Sequence, residues 1–320
     1  MRFAIFGAGG VGGYFGGRLA EAGEDVTFIA RGAHLEAIRK EGLAVESVAG
    51  DFRVSPAKAT DDPASIGPVD VVLVCVKAWQ VNEAAAAMRP IVGPATVVIP
   101  LENGVEAPEE LAAALGAGPV LGGLCKIVAF IAAPGVVRHT GVAPSLAFGE
   151  MDGTESGRVR RLRTVFRRAK SVTVEEPRDI RVALWQKFVF ISAMSGVGAV
   201  TRAPAEAVRA IPETRRLLEA AMREAQAVGR GRGVSIPEKT ADRTLEFFDK
   251  LPDGSTASMQ RDVMEGRPSE LEYQTGTIVR LGRAAGVPTP VNDFLYAALL
   301  PQESKARSIS GSSGSSSSRA

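Results

Sequence analysis

Met1-Arg2-Phe3-Ala4-Ile5-Phe6-Gly7-Ala8-Gly9-Gly10-Val11-Gly12, followed by the stretch from Gly13 to Ala22, decides the fold. Phe3 to Phe6 is a short apolar run that reads as a strand, and Gly13 to Ala22 reads as a helix that Gly23 ends. Between them Gly7, Gly9 and Gly12 fit the spacing G-x-G-x-x-G. A match to that spacing alone is weak, but a strand before it and a helix after it supply the context its mechanism needs. Gly7 allows a tight turn, Gly9 lets a diphosphate approach the backbone, and Gly12 lets helix and strand pack closely. The start of the helix contributes unpaired N–H donors and a partial positive charge. The whole loop, Gly7, Ala8, Gly9, Gly10, Val11 and Gly12, is therefore expected to bind a dinucleotide.

The second strand, Val26 to Ala30, bears on which dinucleotide. Sites for NAD usually carry Asp or Glu at the end of this strand, bonded to the ribose 2′-hydroxyl. Here the chain reads Phe28-Ile29-Ala30-Arg31, with no acid. A guanidinium at Arg31 suits the 2′-phosphate of NADP(H), through charge-assisted bonds of about 1.5–3 kcal/mol each. The plain alternative is a surface arginine at a strand end.

Strand and helix patterns alternate through the first half. His34 to Glu41 reads as a short helix, Leu43 to Val54 as a hairpin around Ala49-Gly50-Asp51, and Val69 to Val76 as a strand buried on both faces. Val81 to Arg89 is helical and Thr96 to Pro100 is another strand. Val120 to Ala133 and Val136 to Thr140 flank a turn at Pro134-Gly135; with Ser145 to Phe148 they read as antiparallel additions to the sheet. Arg158 to Lys170 reads as a solvated, basic amphipathic helix. From Asp179 onward the patterns are helical: Val182 to Val200, Glu213 to Val228, a helix capped by Ser235 with Glu238, Leu271 to Ala285, and a short helix after Pro290. The expected class is α/β: a Rossmann-type dinucleotide-binding domain over 1–175, followed by an all-helical C-terminal domain over 176–302. Residues 303–320 are rich in serine and glycine and are expected to be disordered.

Composition narrows the function classes. Among 320 residues the formal net charge is +2, which gives no strong field for nucleic acid or an acidic membrane. Two cysteines, Cys75 and Cys125, are too few for a disulfide scaffold, and two histidines do not make a zinc cluster. The N-terminus lacks a signal-peptide layout, and the longest apolar stretch, Phe188 to Val200, is about 13 residues against the roughly 20 of a membrane span. A cytoplasmic protein is expected, without nucleic-acid or membrane partners; monomer and homodimer both stay open.

Several strings now converge in order: the glycine loop, Arg31-Gly32-Ala33-His34-Leu35, Val76-Lys77-Ala78-Trp79-Gln80, Glu102-Asn103-Gly104, Leu184-Trp185-Gln186-Lys187, and Ser258-Met259-Gln260-Arg261-Asp262 with Glu270. Together they resemble the ketopantoate reductases (2-dehydropantoate 2-reductases) over roughly residues 1–300. The resemblance implies NADPH as cofactor, a small 2-oxo acid as substrate and a place in pantothenate biosynthesis. It implies that Lys187 protonates the ketone oxygen while Glu270, on the cofactor side, contacts the substrate hydroxyl. Asn103 matches an asparagine near the nicotinamide and substrate, Ser258 a serine that helps hold the carboxylate, and Lys77 a lysine lining the cofactor cleft. His34 falls on the adenosine side, and His139, on a strand of the sheet extension, is left unassigned.

Each residue also has a structural alternative: a snorkelling lysine at Lys187, a helix-start acid at Glu270, a turn at Asn103-Gly104, a strand-end charge at Lys77, an N-cap at Ser258. The resemblance also breaks. Family members carry asparagines four and eight positions after the lysine; here those positions are Ile191 and Ser195. Ser195 keeps a short hydroxyl toward the substrate and Ile191 keeps no polar group, so a more apolar or roomier pocket, and another 2-oxo acid or ketone as substrate, is the alternative. A nucleotide-binding regulator without turnover is a further one.

Overall fold

The computed structural model describes residues 1–314. The chain forms two compact units, Met1–Arg181 and Val182–Ala320, so the division falls after Arg181 rather than after residue 175.

In the first unit, five strands make a wholly parallel sheet: β1 (Arg2–Phe6), β2 (Asp25–Ile29), β5 (Lys58–Thr60), β6 (Val69–Val74) and β7 (Val92–Pro100). Their order is β5-β2-β1-β6-β7. β1 is central, and Phe3, Ala4 and Ile5 are almost fully buried, as a strand covered on both faces must be. The helices α1 (Gly10–Glu21), α2 (Gly32–Glu41), α3 (Val81–Met88) and α4 (Ala107–Leu115) connect or follow these strands.

The expected hairpin between Leu43 and Val54 forms, as β3 (Leu43–Ser47) against β4 (Phe52–Val54). The later strands depart from expectation. β8 (Gly122–Ala133) and β9 (Val136–Gly149) do not extend the parallel sheet. They build a second sheet, β10-β9-β3-β4 with β8 on the far side of β9, where β10 is Thr173–Glu175. Ser145 to Phe148 is the end of β9 and no separate strand.

Helix α1 explains why two sheets are needed. It contains five glycines, Gly10, Gly12, Gly13, Gly16 and Gly17, and glycine costs a helix interior about 1 kcal/mol per residue relative to alanine. Each side is filled by a β-layer. A Cβ on Gly12 or Gly16 would strike Gly7 O at 2.1 Å or Ile5 Cγ1 at 2.6 Å, on the side of the parallel sheet. A Cβ on Gly10, Gly13 or Gly17 would strike Ala129 O at 2.2 Å, Val137 Cγ2 at 2.7 Å or Phe52 Cε2 at 2.9 Å, all from the second sheet. The burial gained by this close approach offsets the poor helix propensity. Arg18, at the far end of α1, is buried with its guanidinium 3.9 Å from the Phe52 ring centroid and donates to Gly50 O. The basic helix α5 (Gly157–Phe166) lays Val159, Leu162, Val165 and Phe166 against the same core.

The second unit is helical: α6 (Ile180–Thr201, beginning at the division), α7 (Ala205–Ala210), α8 (Pro212–Gly231), α9 (Thr240–Asp249), α10 (Ser258–Met264), α11 (Thr277–Ala285) and α12 (Pro290–Gly314). α6 has the length and apolarity of a membrane span, but 67% of its most apolar window is buried, as in a core helix.

Three expectations fail here. Ser235 caps nothing: α9 begins at Thr240, and its start is held by Gln226 of α8, which accepts from Ala241 N and donates to Glu238 O. Ile236 is buried where Gly229 leaves room and precedes Pro237, and a residue before proline is disfavoured in the helical region. The stretch from Leu271 does not form one α-helix, because Glu272–Gly276 is a π-helical turn ahead of α11. The tail is not disordered from residue 303, since α12 runs to Gly314. Glu303 is buried, where it accepts from Ser269 N at 3.1 Å and Ser269 Oγ at 2.6 Å, and Arg307 donates to Ser269 O at 2.8 Å. The rest of that expected segment, 315–320, lies outside the described residues.

Candidate active site

Four of the expected cofactor residues share one edge of the parallel sheet. Gly7 follows β1, Arg31 follows β2, Lys77 follows β6 and Asn103 follows β7. These are the carboxyl ends of neighbouring strands, flanking the switch point where ligands bind in open α/β sheets.

The glycine loop can be accounted for group by group. Gly7 has φ +99°, and a Cβ there would meet Cys75 O at 2.8 Å, so the turn needs glycine. Gly7 N and Ala8 N both donate to Ile29 O. Ala8 O accepts from His34 Nε2 at 2.8 Å, and Gly9 O accepts from Gly13 N at 2.7 Å. The amides of Gly9, Gly10, Val11 and Gly12 make no backbone hydrogen bond among the described residues, as expected at a helix start. Around Gly9 a Cβ would find no atom within 4 Å. Free amides, an open approach at Gly9 and the positive end of α1 fit a diphosphate. Gly10 differs from its neighbour: the β8 backbone lies against it, so its lack of a side chain serves packing. Beneath the loop, burial, the Glu102 carboxylate and Cys125 push the Cys75 thiol well above its usual range, which makes it a poor nucleophile.

Arg31 is exposed, and its Nη2 is 2.9 Å from Glu83 Oε1 on α3. Sequence reasoning missed this acid, which lies far from Arg31 in the chain. Lys77 caps a short 3₁₀ turn, with its ammonium 5.7 Å from the Trp79 ring centroid. His34 bonds the glycine loop, through Ala8 O. His139 is buried structural packing: its Nδ1 accepts from Ser47 Oγ and its Nε2 donates to Val142 O, against the Tyr14 ring.

In the second unit, Lys187 is half-buried on α6 between buried Trp185 and Phe188. Its ammonium has no hydrogen-bond or ion-pair partner among the described residues. Ile191 and Ser195, one and two turns on, follow it along one side of α6. Ser195 is fully buried with its hydroxyl unpaired, and so is Thr275, whose Oγ1 would lie 3.3 Å from a Cβ on neighbouring Gly196. Glu270 is buried at the foot of the π-helical turn and accepts from Gln274 Nε2 at 3.3 Å. The π-helical turn thus meets α6 where Thr275 approaches Gly196, next to Ser195, and Gln274 and Glu270 precede Thr275 in the chain. Ser258 opens α10 but does not cap it; Ala257 is the cap residue, and Gln260 Oε1 accepts from its N–H.

Comparison with known proteins supplies the deciding observation. Residues 3–153 match the family model "Ketopantoate reductase PanE/ApbA", and residues 179–303 match "Ketopantoate reductase PanE/ApbA C terminal". The chain belongs to the ketopantoate reductase family. It is 30% identical over 305 residues to the uncharacterized oxidoreductase YkpB of Bacillus subtilis (strain 168), covering 95% of this chain and all of that one. The solved 2-dehydropantoate 2-reductase of Geobacter metallireducens GS-15 is 33% identical with a TM-score of 0.88, covering 94% of this chain and 99% of that one. A D-mandelate dehydrogenase solved with NADH and anilino(oxo)acetate shares the fold at a TM-score of 0.86 and 20% identity, over 96% of this chain and 99% of that one. As a ketopantoate reductase family member the chain is an oxidoreductase, and its α/β unit followed by a helical unit is the family fold.

Proposed function

We propose that this ketopantoate reductase family member uses NADPH to reduce the ketone of a small 2-oxo acid, with ketopantoate to pantoate as the leading reaction. The observation that carries the cofactor half is the loop of free amides beside Arg31, with no acid at the end of β2. The fold itself does not choose between nicotinamides, since D-mandelate dehydrogenase, which shares it, is solved with NADH. Arg31 favours the 2′-phosphate, with Glu83 releasing it on binding.

When bound, NADPH supplies the hydride that reaches the ketone carbon. Gly9, Gly10, Val11 and Gly12 offer amides to the diphosphate, with Ala8 and Gly7 shaping the turn, and Lys77 adds positive charge at the strand edge. Reduction builds negative charge on the ketone oxygen; the Lys187 ammonium stabilises it and gives it a proton from Nζ. Glu270 accepts a hydrogen bond from the substrate hydroxyl, while Asn103, Ser195 and Ser258 orient the acid.

A second reading keeps the chemistry and changes the substrate. Ile191 favours it, because an isoleucine offers no hydrogen bond where an amide is expected, a loss of about 1.5–3 kcal/mol for a bond to a charged group. NADPH oxidation measured across a panel of 2-oxo acids and ketones tests both. Saturation by ketopantoate at micromolar levels supports the first reading; turnover of another member of the panel with none on ketopantoate supports the second. If no carbonyl compound accelerates NADPH oxidation, both fall.

A further inference from the structure

The imidazole of His34 stands between two backbones. Its Nδ1 accepts from Gly135 N at 3.0 Å, in the turn between β8 and β9, and its Nε2 faces Ala8 O at 2.8 Å. An acceptor role at Nδ1 leaves the ring proton on Nε2, so one neutral tautomer satisfies both contacts. The turn that sets this tautomer is itself fixed: Gly135 O accepts from Ala44 N of β3, and a Cβ on Gly135 would lie 3.0 Å from Ala37 Cβ of α2.

The consequence lies in the peptide unit joining Ala8 to Gly9. A trans peptide is planar, with its C=O and N–H pointing in opposite directions. With the Ala8 carbonyl held on His34, the Gly9 N–H must point away from the ring. Gly9 is the loop residue around which no atom lies within 4 Å of a Cβ position. We propose that His34 is a positioning residue of the dinucleotide loop: it grips the Ala8 carbonyl and so aims the Gly9 amide at the diphosphate before the ligand arrives. This assignment rests on the cofactor reading above. Preorganised donors bind more tightly because no ordering cost is left to meet on association.

The test compares wild type, His34→Phe and His34→Gln by calorimetric titration with NADPH and, separately, with adenosine 2′-phosphate, which lacks the diphosphate. Phenylalanine keeps a ring and removes both contacts; glutamine restores a donor toward Ala8 O. The expected result is an NADPH Kd raised about 10-fold or more in His34→Phe, with the Kd for adenosine 2′-phosphate within about twofold, and recovery of most of the NADPH loss in His34→Gln. Unchanged NADPH affinity, equal loss of both ligands, or a glutamine variant no better than phenylalanine overturns the assignment. If His34→Phe does not fold, as melting curves would report, His34→Ala takes its place with the same two ligands: a loss confined to NADPH that His34→Gln recovers supports the assignment, and no loss or an equal loss of both ligands overturns it. Wild-type protein that binds no dinucleotide overturns the cofactor reading and this assignment together, whereas tight wild-type binding that ignores His34 overturns this assignment alone.

Discussion

Gly9 and Gly10 are adjacent, yet they lack a side chain for different reasons. Gly9 has φ −71°, a conformation any residue adopts, and open space where a Cβ would go. Gly9→Ala should therefore keep Tm within about 1–2 °C, since the exchange at an N-cap is small, and weaken NADPH by obstructing its approach. Gly10→Ala should do the reverse, lowering Tm by roughly 2–10 °C as overpacking against Ala129 forces β8 aside. Melting curves and NADPH titrations on both variants check the pair. Arg31→Ala should weaken NADPH much more than NADH; equal loss would mean the guanidinium is not at the 2′-phosphate. Lys187→Ala should lower turnover by about 10²–10⁴-fold, the range for a lost general acid, while NADPH still binds in titration.

These residues stand out as candidates in the sequence because their chemistry is local: a glycine spacing, a strand-end charge, a lysine in an apolar run. The contacts of His34 and Glu83 were not legible, because their partners Ala8, Gly135 and Arg31 are distant in the chain and meet only when the sheet edge assembles.

Among elements, β1, β2, β6 and β7 were readable as largely apolar runs, but the three-residue edge strand β5, Lys58-Ala59-Thr60, was not, and neither was the destination of β8 and β9. Alternation at period two fits any sheet; what selects the second sheet is contact between residues far apart, such as Val137 against Gly13 and Phe52 against Gly17. The start of α9 failed for a similar reason, since its cap comes from Gln226 on α8 rather than from Ser235.

One electrostatic clasp sits at the boundary of β9 and α5. Glu150 accepts from Arg158 Nε at 2.7 Å and Nη2 at 2.6 Å. That pairing with Arg158, more than the bond from Ser156, holds the Glu150 carboxyl below its ordinary 4.5 despite partial burial. A carboxyl with a depressed folded-state pKa adds stability above the unfolded value and loses it as pH falls through the folded value. Wild type should thus melt higher than Glu150→Gln at pH 7, with the gap closing below pH 4.5. Thermal melts of both proteins between neutral and acidic pH would show it; a gap that persists in acid would assign the difference to packing.

For the whole molecule, the serine-rich composition of the tail misled because disorder was inferred from residue type alone, whereas Glu303 and Arg307 find fixed partners at Ser269. Deleting residues 303–320 strips Ser269 of those partners and leaves buried polar groups unsatisfied, at about 1–3 kcal/mol each. The shortened protein should melt several degrees lower and, since Glu270 is the next residue, lose more turnover than NADPH affinity. Melting and steady-state kinetics on the shortened chain check this; wild-type values in both would mean the terminal helix is dispensable.

The squeezed first helix has one more consequence. With a β-layer against either flank, rolling or sliding would drive its glycine backbone into Gly7, Ala129 or Val137, so its leading amides should keep one orientation before and after a ligand binds. Recognition at this end of the protein is then closer to a lock than to a closing hand, and whatever motion accompanies turnover must be sought elsewhere in the chain.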